Sequence, residues 1–271
     1  MGHEFAIIFA CLSPHGTFHM ENAEEQGPAV SQDVARQSRE LCVVVPVYNE
    51  EGSIGQVLEK WAAAFESQKI DYEIRAYNDG STDNSLTVMR KAADKLGRRM
   101  IIRDKANGGH GQTILTGYRE AAADGFKWVF QVDSDDEMEP DGFAGLWTRR
   151  EGYDFLAGIR KGRSQPFARR VVSAASRFIV QSLYGRGIWD VNVPYRLMRV
   201  SAFGKFFQAI PPDTFAPNVI LSGLAARHRL RCYETPVAQH DRRNGEVRLR
   251  SLTLLKAAAK SFWQTIMFRL R

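Results

Sequence analysis

Cysteine is scarce in this 271-residue chain. Cys11, Cys42 and Cys232 show neither metal-ligand spacing nor an even disulfide framework. A disulfide-stapled or zinc-clustered scaffold is therefore excluded, and a reducing cytosol is the simplest setting. Long apolar runs are also missing. No stretch of about 18 uncharged apolar residues occurs, so no segment reads as a bilayer-spanning helix. The apolar stretch from Phe5 to Leu12 follows Glu4 without a basic lead and makes a poor signal peptide. There are no internal repeats or low-complexity tracts, and no dinucleotide fingerprint follows the first apolar run.

Acid is short in particular places. Residues 1–40 hold six acids against two bases, so the net charge of +6 becomes about +10 over the remainder. From Arg160 to Arg177 there are six bases (Arg160, Lys161, Arg163, Arg169, Arg170, Arg177) and no acid. From Arg242 to Arg271 there are eight bases and one acid, Glu246. Such blocks suit a polyanionic partner, whether nucleic acid, anionic lipid or a phosphorylated substrate. They lack an interleaved aromatic platform, which argues against nucleic acid.

What is present is an alternation of strands and helices. Leu41 to Val45 is a short apolar run bounded by Pro46, which reads as a buried strand. Val57, Leu58, Trp61 and Phe65 recur at helical spacing. Tyr72 to Tyr77 is a second strand. Leu86, Met89, Ala93 and Leu96 mark a second helix, stopped at Gly97. Met100 to Arg103 is a short strand, and Ile114, Leu115, Tyr118 and Ala122 mark a third helix, stopped at Gly125. Trp128 to Val132 is a strand that runs straight into acid. This order implies an α/β fold with a mostly parallel sheet flanked by helices, whose ligands gather beyond the carboxyl ends of the strands. Residues 1–38 are expected to be an extension outside the fold. Met20 is as good a start as Met1, which would make residues 1–19 an upstream addition. A domain is expected over 39–250, followed by a helix over 251–271.

Three polar clusters fall at strand ends. In Asp133-Ser134-Asp135-Asp136-Glu137, four carboxylates in five residues repel one another unless a cation holds them. Hard oxygen ligands there suit Mg²⁺ or Mn²⁺ on a diphosphate; the alternative is a solvated acidic turn. In Asn78-Asp79-Gly80-Ser81-Thr82-Asp83, Asp79 can accept from the N–H of a base, while an ordinary turn and helix cap is the plainer reading. Tyr48-Asn49-Glu50 follows the first strand. A fourth segment, Asn107-Gly108-Gly109-His110-Gly111, suits a phosphate cradle and a structural loop equally.

Val43-Val44-Val45-Pro46-Val47-Tyr48-Asn49-Glu50, Asn78 to Asp83, Asn107-Gly108-Gly109 and Asp133-Ser134-Asp135 together resemble the family-2 glycosyltransferases of the GT-A fold, over about residues 40–250. Within that family the likeness is to dolichyl- and polyprenyl-phosphate sugar synthases. It extends to Gly158-Ile159-Arg160, to Asp190-Val191-Asn192-Val193-Pro194-Tyr195-Arg196-Leu197, and to Asp241 through Glu246. The chain departs from the pattern at Asn78, where aspartate is frequent, at Val247, where serine is common, and in lacking a Ser-Gly-Phe run beside Asp190. The Gln-x-x-Arg-Trp signature of processive polysaccharide synthases is absent.

The resemblance implies that Pro46, Tyr48, Glu50 and Asp79 hold the nucleoside. It implies that Asp133 and Asp135, with Glu137 as a third ligand, meet the metal and the diphosphate. Arg160, Arg170 and Arg242 would grip donor and acceptor phosphates, making Asp135, Arg160 and Arg242 the catalytic set. The reaction implied is an inverting transfer from a nucleoside-diphosphate sugar to a polyprenyl-phosphate-type lipid on the cytoplasmic membrane face, in cell-envelope glycan synthesis. A hydroxyl-directed enzyme of polysaccharide or glycolipid synthesis is the alternative, and would need Asp213 or Asp190 as base. A non-catalytic basic binding module on the same fold is the rival from another class. For peripheral attachment the C-terminal segment offers an apolar stripe, Leu255, Ala258, Ala259, Phe262, Ile266 and Leu270, beside Trp263 and Met267 and four bases.

Overall fold

The computed structural model describes residues 39–161, 167–240 and 251–270, except for the side chains of residues 161, 167–170 and 251–255. The first half is a run of strand–helix units: β1 (Leu41–Val47), α1 (Ile54–Ser67), β2 (Tyr72–Asp79), α2 (Ser85–Leu96), β3 (Met100–Lys105), α3 (His110–Ala123) and β4 (Trp128–Gln131). The second half holds α4 (Phe143–Arg149), β5 (Phe155–Lys161), α5 (Phe167–Leu183), β6 (Arg196–Arg199), α6 (Val200–Ala209), α7 (Pro217–Arg227), β7 (Cys232–Ala238) and α8 (Ser251–Leu270). All strands join one sheet in the order β3-β2-β1-β4-β6-β5-β7. The pairings β3–β2, β2–β1, β1–β4 and β5–β7 are parallel, whereas β6 lies antiparallel between β4 and β5.

Every residue of β1, β2 and β4 is buried, as suits strands covered on both faces. The helical stripe of α1 packs inward through Val57, Leu58, Trp61 and Phe65. Trp61 heads an aromatic cluster with Phe65, Phe130, Phe143 and Tyr195, at ring separations of 5.6, 5.2, 6.1 and 5.6 Å. β1 does not stop at Pro46 but continues to Val47, with Pro46 opposite Tyr77 of β2. Proline is tolerated there because Val44 O accepts from Val132 N, which puts the even-numbered residues of β1 on the β4 side. β4 ends at Gln131, so the N–H that Pro46 lacks has no ladder partner to lose.

The strand order reverses at β1: β2 and β3 lie on one side of it and β4 on the other. The crevice at the carboxyl ends of β1 and β4 is where an open α/β sheet binds its ligand. Tyr48–Glu50 and Asp133–Glu137 flank that crevice.

The C-terminal helix α8 forms, and one side of it docks on the domain. Ala258, Ser261 and Thr265 are buried, and Phe268 packs against the core. Tyr184 donates to Thr265 O at 2.7 Å and Arg269 to Leu183 O at 2.8 Å, fixing α8 to the end of α5. Ala259, Trp263 and Leu270 remain exposed, Trp263 by 64% and Leu270 by 71%. Small and hydroxyl-bearing residues pack close here beside Phe268, while Trp263 and Leu270 face solvent.

Candidate functional site

The loop after β1 is stitched to the loop after β2. Asn49 N donates to Ser81 Oγ at 3.0 Å, and Thr82 N returns a bond to Asn49 Oδ1 at 2.7 Å. Glu50 N donates to Ser85 Oγ at 2.7 Å, and Asn84 N to Glu51 Oε2 at 2.8 Å. Asn49 takes a positive φ of 53°, a conformation asparagine tolerates better than most residues. Ser53 Oγ then reaches across the crevice to Ser134 O at 2.9 Å, joining this loop to the acidic turn. Tyr48 is exposed at the crevice and Glu50 is half-buried. Pro46 is buried in β1 and lies beneath the site rather than on its surface.

Asp79 has a different first task from the one its motif suggested. It is 3% exposed, and its Oδ1 accepts from Lys105 Nζ and from Gly108 N at 2.8 Å. Its Oδ2 accepts from Gly109 N at 2.9 Å. Three of about four lone-pair positions are thus taken by the chain itself, leaving one for a base N–H. Burial alone would raise this carboxyl, but the bonds from Lys105 and Gly108 outweigh it and hold the group below its ordinary value. The glycine-rich loop is therefore anchored to β2 through Asp79. Gly80 completes the turn with φ 68°, and a Cβ on it would lie 2.8 Å from Asn107 N.

After β4, burial alternates. Ser134, Asp136 and Met138 point inward, while Asp133, Asp135 and Glu137 are half-buried on the other side. Asp136, with φ 59°, turns to Lys60 of α1, which also donates to Glu139 Oε2 at 3.0 Å. One of the four repelling carboxylates is thus answered by a protein ammonium. Gln131 Nε2 donates to Asp133 Oδ1 at 3.0 Å, and His110 Nε2 lies 3.9 Å from the same oxygen. Burial pushes the Asp133 carboxyl above its ordinary value and the charge of Glu137 adds to that, while His110, Gln131 and Arg160 pull the other way.

Among the described residues, no three of His, Cys, Asp and Glu converge as a metal cluster. Glu137 Oε2 accepts from Gln239 Nε2 at 2.5 Å, and Glu137 O from His240 N at 2.9 Å, which ties it to the end of β7. Asp133 and Asp135 still fit a hard divalent cation that takes its remaining ligands from a diphosphate and water, as Mg²⁺ commonly does. A raised, half-buried carboxyl beside further acids is the donor set such a cation would stabilise.

Arg160 is already engaged. Its Nε and Nη2 donate to the two oxygens of Asp190 at 2.8 and 2.9 Å. Asp190 N and Trp189 N in turn donate to Glu234, whose carboxyl is raised by burial against the pull of those two N–H groups. The fork that was expected to grip phosphate thus holds Asp190, with one bond to each of its oxygens. The Arg170 side chain and all of Arg242 lie outside the described residues. Asp213 is exposed on the loop before α7. That loop lies against α3 so closely that a Cβ on Gly111 would meet Phe215 O at 2.2 Å and Thr214 O at 2.4 Å. Sequence reasoning did not single out Lys60, Lys105, Gln131, Glu234 or Gln239. Lys105 alone carried a signal, as a cation closing β3 directly before the glycine-rich loop.

A mixed sheet with its crevice at β1 and β4, and an acidic turn on that crevice, is the GT-A architecture. The sequence model of Glycosyl transferase family 2 matches residues 42–207, and the chain belongs to that family. It is 31% identical over 208 residues to the undecaprenyl-phosphate 4-deoxy-4-formamido-L-arabinose transferase of Edwardsiella ictaluri, covering 76% of this chain and 62% of that protein. The chain thus spans less than two thirds of the length of this relative. In fold it is similar to Mycobacterium tuberculosis glucosyl-3-phosphoglycerate synthase, solved with Mn²⁺, UDP and phosphoglyceric acid, at a TM-score of 0.60 and 16% identity over 84% of this chain and 78% of that one. It is likewise similar to mannosyl-3-phosphoglycerate synthase from Rubrobacter xylanophilus, at a TM-score of 0.58 and 14% identity over 83% and 74%.

Proposed function

We propose that this chain transfers a sugar from a nucleoside diphosphate to a polyprenyl-phosphate-type lipid at an anionic membrane surface, with inversion. The observation that carries this reading is the split of the acidic turn. Lys60 neutralises Asp136 on the inner side, while Asp133 and Asp135 stay on the crevice side, at the strand ends where a donor would lie. Membership of family 2 and the relative's action on undecaprenyl phosphate favour the same reaction and acceptor class.

In this reading Asp133 and Asp135 hold Mg²⁺ or Mn²⁺, which when bound offsets the charge of the departing nucleoside diphosphate. The stitched loops after β1 and β2 place Tyr48 and Glu50 against the nucleoside. Asp79 keeps the glycine-rich loop at the height of the phosphates. The acceptor's phosphate oxygen forms the new bond to the anomeric carbon, and the bond to the diphosphate breaks, its electron pair leaving with that group. No base is required, because the attacking oxygen is already anionic at neutral pH. Asp190 holds the Arg160 fork through its two oxygens, and Arg170 and Arg242 are assigned the further positive charge that phosphates require.

Among the described residues, no helix is long and apolar enough to cross a membrane. Attachment is assigned to the exposed side of α8, where Ala259, Trp263 and Leu270 stand beside exposed Lys256 and Lys260. A basic residue near an anionic surface contributes about 1 kcal/mol. The test of donor binding is thermal shift with Mn²⁺ and a panel of nucleoside diphosphates. A ligand at a hundred times its Kd stabilises by about 2.7 kcal/mol. A rise in melting temperature for one base is expected; no rise with any of them would remove the donor assignment.

A further inference from the structure

A buried polar chain runs from the second half of the fold to Asp133. Gln131, Tyr118 and Arg196 are 0% exposed and Asn218 is 2% exposed. Four such groups in the core are costly unless hydrogen-bonded, and each is bonded here to another of the four or to backbone. Arg196 Nη1 donates to Asn218 O at 3.1 Å, Nε to Val193 O at 2.9 Å and Nη2 to Val191 O at 3.3 Å. The first of these bonds ties Arg196 to the first turn of α7. Asn218 Nδ2 then donates to Gln131 Oε1 at 2.7 Å. The Tyr118 hydroxyl lies 2.5 Å from Gln131 Oε1 and 3.0 Å from Asn218 Oδ1.

The consequence is a defined amide orientation. With donors from Asn218 and Tyr118 converging on Oε1, Gln131 must present Nε2 on its other side, where Asp133 Oδ1 accepts at 3.0 Å. An apolar residue would fill this strand position more cheaply. What glutamine adds is one donor aimed at the first carboxylate of the acidic turn.

We propose that Gln131 is a positioning residue for Asp133, oriented by Asn218 and Tyr118, so that α7 in the second half of the fold sets the carboxylate that meets the metal. This rests on the donor reading above. Partners one step removed from a metal, holding its ligands, typically change metal affinity by about 10–100-fold when mutated.

Gln131→Glu is the discriminating variant. One carboxylate oxygen still accepts from Asn218 and Tyr118, while the other faces Asp133 as a second carboxylate. The pair repels when both are ionised or shares a proton that competes with the metal, and either state removes the amide donor from Asp133. UDP binding is measured calorimetrically in Mn²⁺ and in EDTA, alongside the melting temperature. The expected result is a Mn²⁺-dependent UDP affinity lowered by about 10–100-fold, with cooperative melting and unchanged binding in EDTA. Gln131→Met, which matches the length and lets Tyr118 donate to Asn218 instead, should lose the same increment and decides the matter if the glutamate variant does not fold. Variants that bind Mn²⁺ and UDP like wild type overturn the proposal alone. Two variants that both fail to fold cooperatively make the chain a stability element and overturn it as well. Wild type that ignores UDP and every other nucleoside diphosphate with Mn²⁺ removes the donor reading, and this proposal with it.

Discussion

Replacing Asp79 by asparagine keeps the shape of the side chain and removes one acceptor and one charge. An asparagine oxygen can still serve Lys105 and Gly108, but its amide nitrogen then faces the Gly109 N–H, donor against donor. A buried N–H left without a partner costs about 1–3 kcal/mol. Lys105 also loses its counter-charge. Its side chain is 24% exposed, so this adds only about 1 kcal/mol. The sum is about 2–4 kcal/mol, or roughly 5–15 °C in melting temperature for a domain of this size. The effect depends on pH. Because the folded carboxyl titrates below its ordinary value of 3.8, its contribution is complete above the unfolded value and is lost as pH falls through the folded one. Wild type and Asp79→Asn should therefore differ fully at neutral pH and converge as pH falls through the folded value, below 3.8. Calorimetric melting across that range gives the measurement, and amide exchange at Gly108 and Gly109 should quicken in the variant. A neutral-pH shift below about 2 °C, or a difference that persists in acid, would refute the anchoring role of Asp79.

Lys60→Met should destabilise by about 3–5 kcal/mol in urea, because it removes the ammonium paired with the buried Asp136 carboxylate, while Lys60→Met with Asp136→Asn should recover most of the loss. Trp263→Glu and Leu270→Glu should cut sedimentation with anionic liposomes at low salt yet change stability by less than about 0.5 kcal/mol, since both residues are exposed. Full binding by both variants would contradict attachment through α8. Asp213→Asn should cost little in transfer to a lipid phosphate; a loss of about a hundredfold or more would indicate a hydroxyl acceptor instead.

The first half of the fold was legible because its strands and helices are local events. The apolar runs at Leu41, Tyr72, Met100 and Trp128, and the helical spacing between them, required no knowledge of distant partners. The antiparallel insertion of β6 was not legible. Four residues containing two arginines give no strand period, and the position of β6 is set by pairing with β4 and β5. The site divided along the same line. The acidic turn, the loop after β1 and the glycine-rich loop were found in place. The partners of their side chains lay far off in sequence: Lys60 for Asp136, Lys105 for Asp79, Asp190 for Arg160, Asn218 for Gln131. Charge pairing over such distances leaves no periodic trace. The docked side of α8 was not legible for a related reason: which side of a helix docks depends on the surface offered by α5 and α7, where Ala258, Ser261, Thr265 and Phe268 pack.

Transfer itself gives the most direct test. The purified full chain is incubated with undecaprenyl phosphate, Mn²⁺ and a panel of labelled nucleoside-diphosphate sugars, and label is counted in the organic extract. Wild type should label the lipid from one donor, EDTA should abolish it, and Asp135→Asn should lower it by at least about a hundredfold, with its melting temperature held or raised. Label appearing on a saccharide hydroxyl but never on the lipid phosphate, or an Asp135→Asn variant as active and as metal-dependent as wild type, would contradict the proposed reaction.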